Sequence, residues 1–391
     1  ELSVELISTA QAPRDSFTKD LEASVGPILQ VPGVLDLAES RRMIRDRDLD
    51  VLVFAEIGMG MSAYFLAFAA KTLAKRTVAF WGHGVTSGID TIDYFVTSRM
   101  FHGVVASSAG VAAVAQAAWT ERLYLMNSIT TAFEMPPEPS LEYVVDLRDL
   151  CGISNGDPHF YLAPTSLYKF HPLMDIPLSR LLIKDRRAVL VMVEGNEMKW
   201  SRKIVGRLRE AVKRRVYAMN AGGAHAEASY HATDPNAIAN DAGSRIVVVP
   251  AMRRKRYLSF LKAGHVVALP FPTTSAVTAM ETIAAGTPFV TLGESSSSYL
   301  LQHYAPALLA QLGMSESDAR DCCIALDLDD YADKLFRFAN DGAFRERISA
   351  VFREKSYLLF GDEAHRIVVE DWAIMFRNIS TRPRPRSIES K

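Results

Sequence analysis

Short β-type runs alternate with amphipathic helical stretches along nearly the whole chain, and the alternation restarts after a proline-rich break. That is the pattern of parallel α/β domains. In the first series, residues 3–7, 52–55, 78–81 and 94–97 read as strands, and residues 35–47, 63–73 and 109–118 as helices. "MPPEPS" and "SNGDP" then flank "LEYVVDLRDL", which reads as a helical connector. In the second series, residues 160–163, 189–193, 246–249, 266–268 and 289–292 read as strands. Helices are expected over 176–183, 201–214, 255–263 and from Thr274 onward, with residues 221–241 an exposed insertion. Residues 344–376 read as helices.

Two series imply two domains, and 391 residues suit that count at about 150 residues per domain. The expected division is an amino-terminal domain over 1–134, a linker over 135–158 and a carboxyl-terminal domain over 159–355. A helix over 356–377 and a flexible tail over 378–391 follow. Parallel sheets bind ligands beyond the carboxyl ends of their strands, so a ligand cleft between the two halves is expected.

Composition removes other classes. A net charge of −1 with 23% charged residues creates no field that would recruit nucleic acid or an anionic membrane. The most apolar stretch, residues 51–70, is broken by Glu56 and by Gly58-Met59-Gly60, so no membrane span is expected. Three cysteines, Cys151 and the adjacent Cys322 and Cys323, have neither metal-ligand spacing nor an even framework. They point to a reducing, cytoplasmic setting and to no metal site.

Three segments carry candidate chemistry. "LPFPTTSAVTAMETIAAGTPFVTL" leaves a strand and starts a helix behind Thr273, Thr274 and Ser275, all good N-cap residues. Free N–H groups of Ala276, Val277 and Thr278 at such a helix mouth suit a pyrophosphate. Glu281 lies too deep to cap, but its side chain leans towards the helix start, where two oxygens accept from two ribose hydroxyls. Gly286 and Pro288 end the helix. "PTSLYKFHP" puts Lys169, beside Tyr168, at a strand end, where an ammonium neutralises a departing diphosphate. "WGHGVTSGIDTIDYFV" puts His83 in a glycine-rich turn as a donor or acid/base group. Read alone, each segment equally describes a capped core helix, a surface lysine or a structural histidine.

Together, "GHGVTSGIDTIDYFV", "APTSLYKFHP" and "LPFPTTSAVTAMETIAAGTPFVTLGE" resemble the catalytic region of the protein O-GlcNAc transferase family. That family includes SPINDLY-type O-fucosyltransferases and bacterial N-glucosyltransferases that modify adhesins. The resemblance runs from about Leu35 to Trp372. It implies a GT-B fold, two Rossmann-like domains facing a central cleft, and inverting sugar transfer from a UDP- or GDP-sugar, UDP-GlcNAc first, to protein Ser/Thr. No cofactor or metal is implied beyond the donor itself.

By position, Lys169 matches the family's diphosphate lysine, Ala276, Val277 and Thr278 its phosphate-binding helix start, and Glu281 its ribose-binding acid. Tyr257 falls where a base-stacking histidine stands in animal members, and His83 in the turn lining the sugar and acceptor side. This chain departs from the family at Leu269-Pro270, at Thr273 to Val277 and at Lys75-Arg76-Thr77. The family's first βα unit has no counterpart in the sequence, so a truncated amino-terminal domain is expected, and no tetratricopeptide repeat is visible. "METIAAGTPFVT" is also similar to a segment of retaining GT-B enzymes acting on glycans or lipids. A non-catalytic nucleotide-binding remnant is the third reading.

Overall fold

A computed structural model of the chain describes residues 2–9, 15–55, 57–58, 61–80, 84–102, 116–138, 143–195, 197–221, 234–293 and 300–382, without the side chains of 300–302. Packing divides it into two compact units. The first comprises Glu1–Thr131, Ser298–Leu300 and His365–Lys391, and the second Ala132–Ser297 and Leu301–Ala364.

Unit 1 holds a four-stranded parallel sheet in the order β3 (Leu49–Phe54), β4 (Ala74–Phe80), β5 (Tyr94–Ser98), β6 (Arg122–Met126). A separate parallel pair joins β1 (Ile7–Ser8) to β2 (Leu29–Gln30), so the strand expected over 3–7 shrinks to two residues at its end. Most of the helix expected over 109–118 lies outside the described residues. The last helix, Asp362–Thr381, contributes Trp372, Met375, Phe376 and Ile379 to the core formed with Val78, Tyr94, Val96 and Met126. Their i, i+3, i+4, i+7 spacing is one helical stripe. Asp371 beside that stripe accepts the backbone N–H groups of Asn127 (3.1 Å) and Ser128 (2.8 Å), which end β6.

Unit 2 is a six-stranded parallel sheet. Its strands are β7 (His159–Ala163), β8 (Ala188–Val193), β9 (Ile246–Val249), β10 (Val266–Ala268), β11 (Phe289–Leu292) and β12 (Ile324–Ala325). They lie in the order β12-β11-β10-β7-β8-β9. β7 is buried throughout, which is why "HFYLA" reads as a continuous apolar run rather than an alternating one. The helix Met198–Asn220 buries Ile204, Leu208, Val212 and Val216, every fourth residue on one face. The insertion expected over 221–241 is shorter than the sequence suggests: Pro235 at the first turn and an Asp234 cap start a helix, Pro235–Ser244. Among the described residues of the connector "LEYVVDLRDL", the α-helix begins only at Leu147 and runs on to Cys151. The chain builds outward from β7 through β8 to β9, then returns to place β10 on β7's other side. The carboxyl ends of β7 and β10 are therefore a topological switch point, where successive loops part and leave a crevice.

The opposite end of this sheet is a polar knot. Asp185 accepts from the Tyr161 hydroxyl (2.6 Å) and pairs with His159 Nδ1 (2.7 Å). His265 Nδ1 accepts the Phe160 N–H at 3.1 Å, which only an unprotonated nitrogen does. Burial, reinforced by the charge of Arg345, holds the His265 imidazole down to about 4. Below about pH 6.5 the unfolded chain takes up a proton that the folded one refuses, so stability falls from there down to pH 4, by roughly 3 kcal/mol at most. His265→Asn keeps an acceptor for Phe160 but does not titrate. Denaturant unfolding between pH 7 and 4.5 should show this slope in the natural chain and a flatter one in the variant. Equal slopes would remove His265 as the cause.

Candidate functional site

The loops leaving β7 and β10 carry the predicted residues to one place. After β7, Leu167–Lys169 forms a 3-10 turn whose Leu167 is buried. This turn leaves Tyr168 70% exposed and Lys169 half-buried. Lys169 Nζ donates to Ser275 Oγ at 3.1 Å, across from the loop after β10. Burial pulls the ammonium below the usual lysine range, and among the described residues it has no ion-pair partner. A cation held by a hydroxyl alone is short of counter-charge.

Ser275 precedes the helix Ala276–Ala284 at the cap position with an extended backbone, but its side chain makes no capping hydrogen bond. Its hydroxyl is taken by Lys169 instead, so the serine predicted to cap the helix is used to hold the lysine. The N–H groups of Ala276, Val277 and Thr278 have no helical carbonyl to reach. With the helix dipole they present partial positive charge beside the ammonium. Two further hydroxyls, Thr274 and Thr165, sit in these same loops at 2% exposure, and among the described residues neither Oγ1 has a partner. Buried groups are rarely left so without a ligand or water to meet them.

One turn into the helix, Glu281 is 13% exposed on its side chain and lies 3.4 Å from Arg254 Nε, which starts the neighbouring helix Arg254–Ala263. Burial pushes the Glu281 carboxyl up, and the guanidinium pulls it back only in part. Tyr257, one turn on from Arg254, points its hydroxyl at the Pro164 carbonyl (3.5 Å) and stacks on Phe260. Burial pushes its phenol up, with Thr278 and Glu281 close enough to act on it. Lys169, Ser275, Thr278, Glu281 and Tyr257 thus gather at the switch point, with Val277 exposed at its lip. Gly286 ends the helix as expected: its φ is +70°, and a Cβ there would stand 2.8 Å from Arg353 Cγ.

His83 lies outside the described residues. The rest of its turn belongs to unit 1 and is gripped by Glu121, 1% exposed. Glu121 accepts from Thr86 Oγ1 (2.6 Å), Ser87 N (2.7 Å) and Thr120 Oγ1 (3.1 Å), and from the Ser87 hydroxyl. Sequence reasoning passed over Glu121, Thr165 and Arg254. The four consecutive bases from Arg253 to Arg256, at the end of a strand, were the available signal for Arg254.

The fold matches a solved structure. A mutant of Thermobaculum terrenum O-GlcNAc transferase aligns over 96% of this chain with a TM-score of 0.70. The fold is GT-B. Sequence identity is 19%, and the chain spans 61% of that protein's length. An α,α-trehalose-phosphate synthase (UDP-forming) from Burkholderia vietnamiensis (13% identity, 94% of this chain, 81% of that one) is a more distant likeness, with a TM-score of 0.48. A sucrose-phosphate synthase from Thermosynechococcus elongatus (11%, 93% and 77%) reaches 0.47. No family model and no curated protein matches the sequence. Among the described residues, no helix is long and apolar enough to cross a membrane.

In this GT-B chain the unpartnered threonines make a direct test. Replacing a buried, unsatisfied hydroxyl by an isosteric methyl removes a desolvation cost. Thr274→Val should therefore leave unfolding free energy unchanged or raise it by about 1 kcal/mol. A loss of more than about 2 kcal/mol in chemical denaturation would show that the hydroxyl serves the fold.

Proposed function

We propose that the chain is the catalytic region of a nucleotide-sugar-dependent glycosyltransferase that moves a sugar, GlcNAc from UDP-GlcNAc, onto protein Ser/Thr with inversion. The observation that carries the reading is the Lys169–Ser275 contact at 3.1 Å beside an uncapped helix start. An ammonium lacking an anion, three free N–H groups and a helix dipole converge where a diphosphate fits. As the sugar leaves, charge grows on the diphosphate, and these groups stabilise that state more than the ground state. Glu281 accepts the ribose hydroxyls, Thr274 and Ser275 border the phosphates, and Tyr257 and Tyr168 flank the base and sugar.

The reading calls for no metal, because Lys169 and the helix supply the positive charge. The choice of O-GlcNAc chemistry leans on the motif resemblance and on the likeness to a protein titled O-GlcNAc transferase. A reducing intracellular setting belongs to the same proposal, in keeping with three free cysteines.

Three measurements test it. In a melting screen, UDP and UDP-GlcNAc should stabilise the protein, by about 2.7 kcal/mol at a hundredfold excess over Kd, and GDP-fucose and UDP-glucose less. No shift with any nucleotide ends the reading. Lys169→Ala should keep the fold and lower kcat by about 10²–10³-fold, roughly 3–4 kcal/mol of transition-state stabilisation. Near-normal turnover would remove the lysine from the mechanism, and retention of anomeric configuration in the product would remove inversion.

A further inference from the structure

The turn that carries Lys169 is too short to hold itself in place. Its internal bonds, Lys169 N to the Ser166 carbonyl (3.0 Å) and Phe170 N to the Leu167 carbonyl (3.1 Å), fix its backbone but not its seat on the sheet. Buried Leu167 anchors its start. Its far end is held from another element: Arg207, within the helix Met198–Asn220, donates through NH2 to the Phe170 carbonyl at 2.9 Å. Arg207 Nε stands 2.6 Å from Asp175 Oδ2 as a close ion-pair contact, without the angle of a hydrogen bond. Asp175 is buried and is the first residue of the next helix, Asp175–Lys184. One guanidinium therefore ties the carbonyl following Lys169 to the helix behind it.

A pair this far out of water adds little net stability, because desolvation offsets much of its attraction. Geometry is what it supplies. The guanidinium is rigid and planar, so a group seated by its contact with Asp175 holds its one directed hydrogen bond, to the Phe170 carbonyl, in a set place. Only a group whose place matters to a fraction of an ångström gains from that, and the neighbouring Lys169 is such a group if it meets developing charge.

We propose that Arg207, braced by Asp175, is a positioning residue for Lys169 and sets where the ammonium stands for a nucleoside diphosphate. The inference rests on the proposed role of Lys169. Its specific consequence is coupling: Arg207 matters to the diphosphate through Lys169 and has nothing left to contribute once the lysine is gone.

A double-mutant cycle on the full chain tests this. The probe is UDP or GDP, whichever binds the natural protein more tightly, with affinities from calorimetry and melting curves run alongside. Lys169→Ala should weaken binding by about 10- to 100-fold. Arg207→Gln should weaken it by about five- to tenfold, and the double variant should bind no worse than Lys169→Ala alone. Losses that multiply in the double variant would show that Arg207 serves the fold and not the lysine, and would overturn the inference alone. So would a full loss in Lys169→Ala with none in Arg207→Gln. Unchanged binding in Lys169→Ala overturns the role of the lysine and the inference with it. Should Arg207→Gln fail to fold, Arg207→Lys enters the same cycle with the same outcomes, since it keeps the charge but lacks the fork.

Discussion

Lys169 is a charge that folding has partly removed from water without giving it a counter-ion. Burial lowers its proton affinity, and its one described partner is the neutral oxygen of Ser275. Desolvating an ammonium costs free energy that a hydroxyl does not return in full. An entering anion would recover that cost, and the groups nearby lean that way: an uncapped helix start and two buried threonine hydroxyls without partners among the described residues. On the proposed reading, a site assembled in advance loses little to reorganisation when a diphosphate arrives, the condition under which electrostatic stabilisation is most effective.

That readiness requires a frame that does not collapse onto it. In unit 2 the two ends of the sheet divide the work. At the amino ends of β7 and β10, Asp185 holds Tyr161 and His159 while His265 accepts the Phe160 N–H, and burial there serves the fold. At the carboxyl ends of the same two strands, polar groups are left open. The strand order makes this separation available, since β10 pairs with β7 only after the chain has gone out to β9 and back. The loops carrying Lys169 and Ser275 diverge from adjacent strands and meet again in space, 106 residues apart in sequence.

Much of this was legible in the residues. β7, β8 and β10 announce themselves as short apolar runs, and "TTSAVTAMETIAAGTP" reads correctly as a helix start and a Gly286 stop. Pattern reading assigned chemistry to Lys169, Ser275 and Glu281 because each sits at a strand or helix end, where type and position are visible together. It gave Ser275 the wrong local task, because propensity tables know that serine caps helices and not that a lysine arrives from another strand. Arg207 gave no signal at all. An arginine in the basic helix Met198–Asn220 looks like its neighbours, and its bond to Phe170 spans 37 residues. β12 and the helices between 300 and 340 also went unassigned, although Leu328–Asn340 buries Tyr331, Ala332, Leu335, Phe338 and Ala339 at helical spacing; β12, two residues long, carries no period of its own.

The Arg254–Glu281 pair shows how the resting site can be stable without being closed. At 3.4 Å, with Arg254 66% exposed, it is a loose pair of the kind worth 1 kcal/mol or less. Yet Glu281 itself is mostly buried, and without Arg254 its charge would be opposed by burial alone. The arginine therefore favours the ionised acid at small gain to itself and gives way at small cost. On the proposed reading, a ribose diol takes over the two acceptor oxygens, and each hydroxyl bond to the carboxylate is stronger than the exposed pair it displaces. A neutral glutamine in the same place would accept through one oxygen only, so the acid is what makes recognition of two adjacent hydroxyls cooperative.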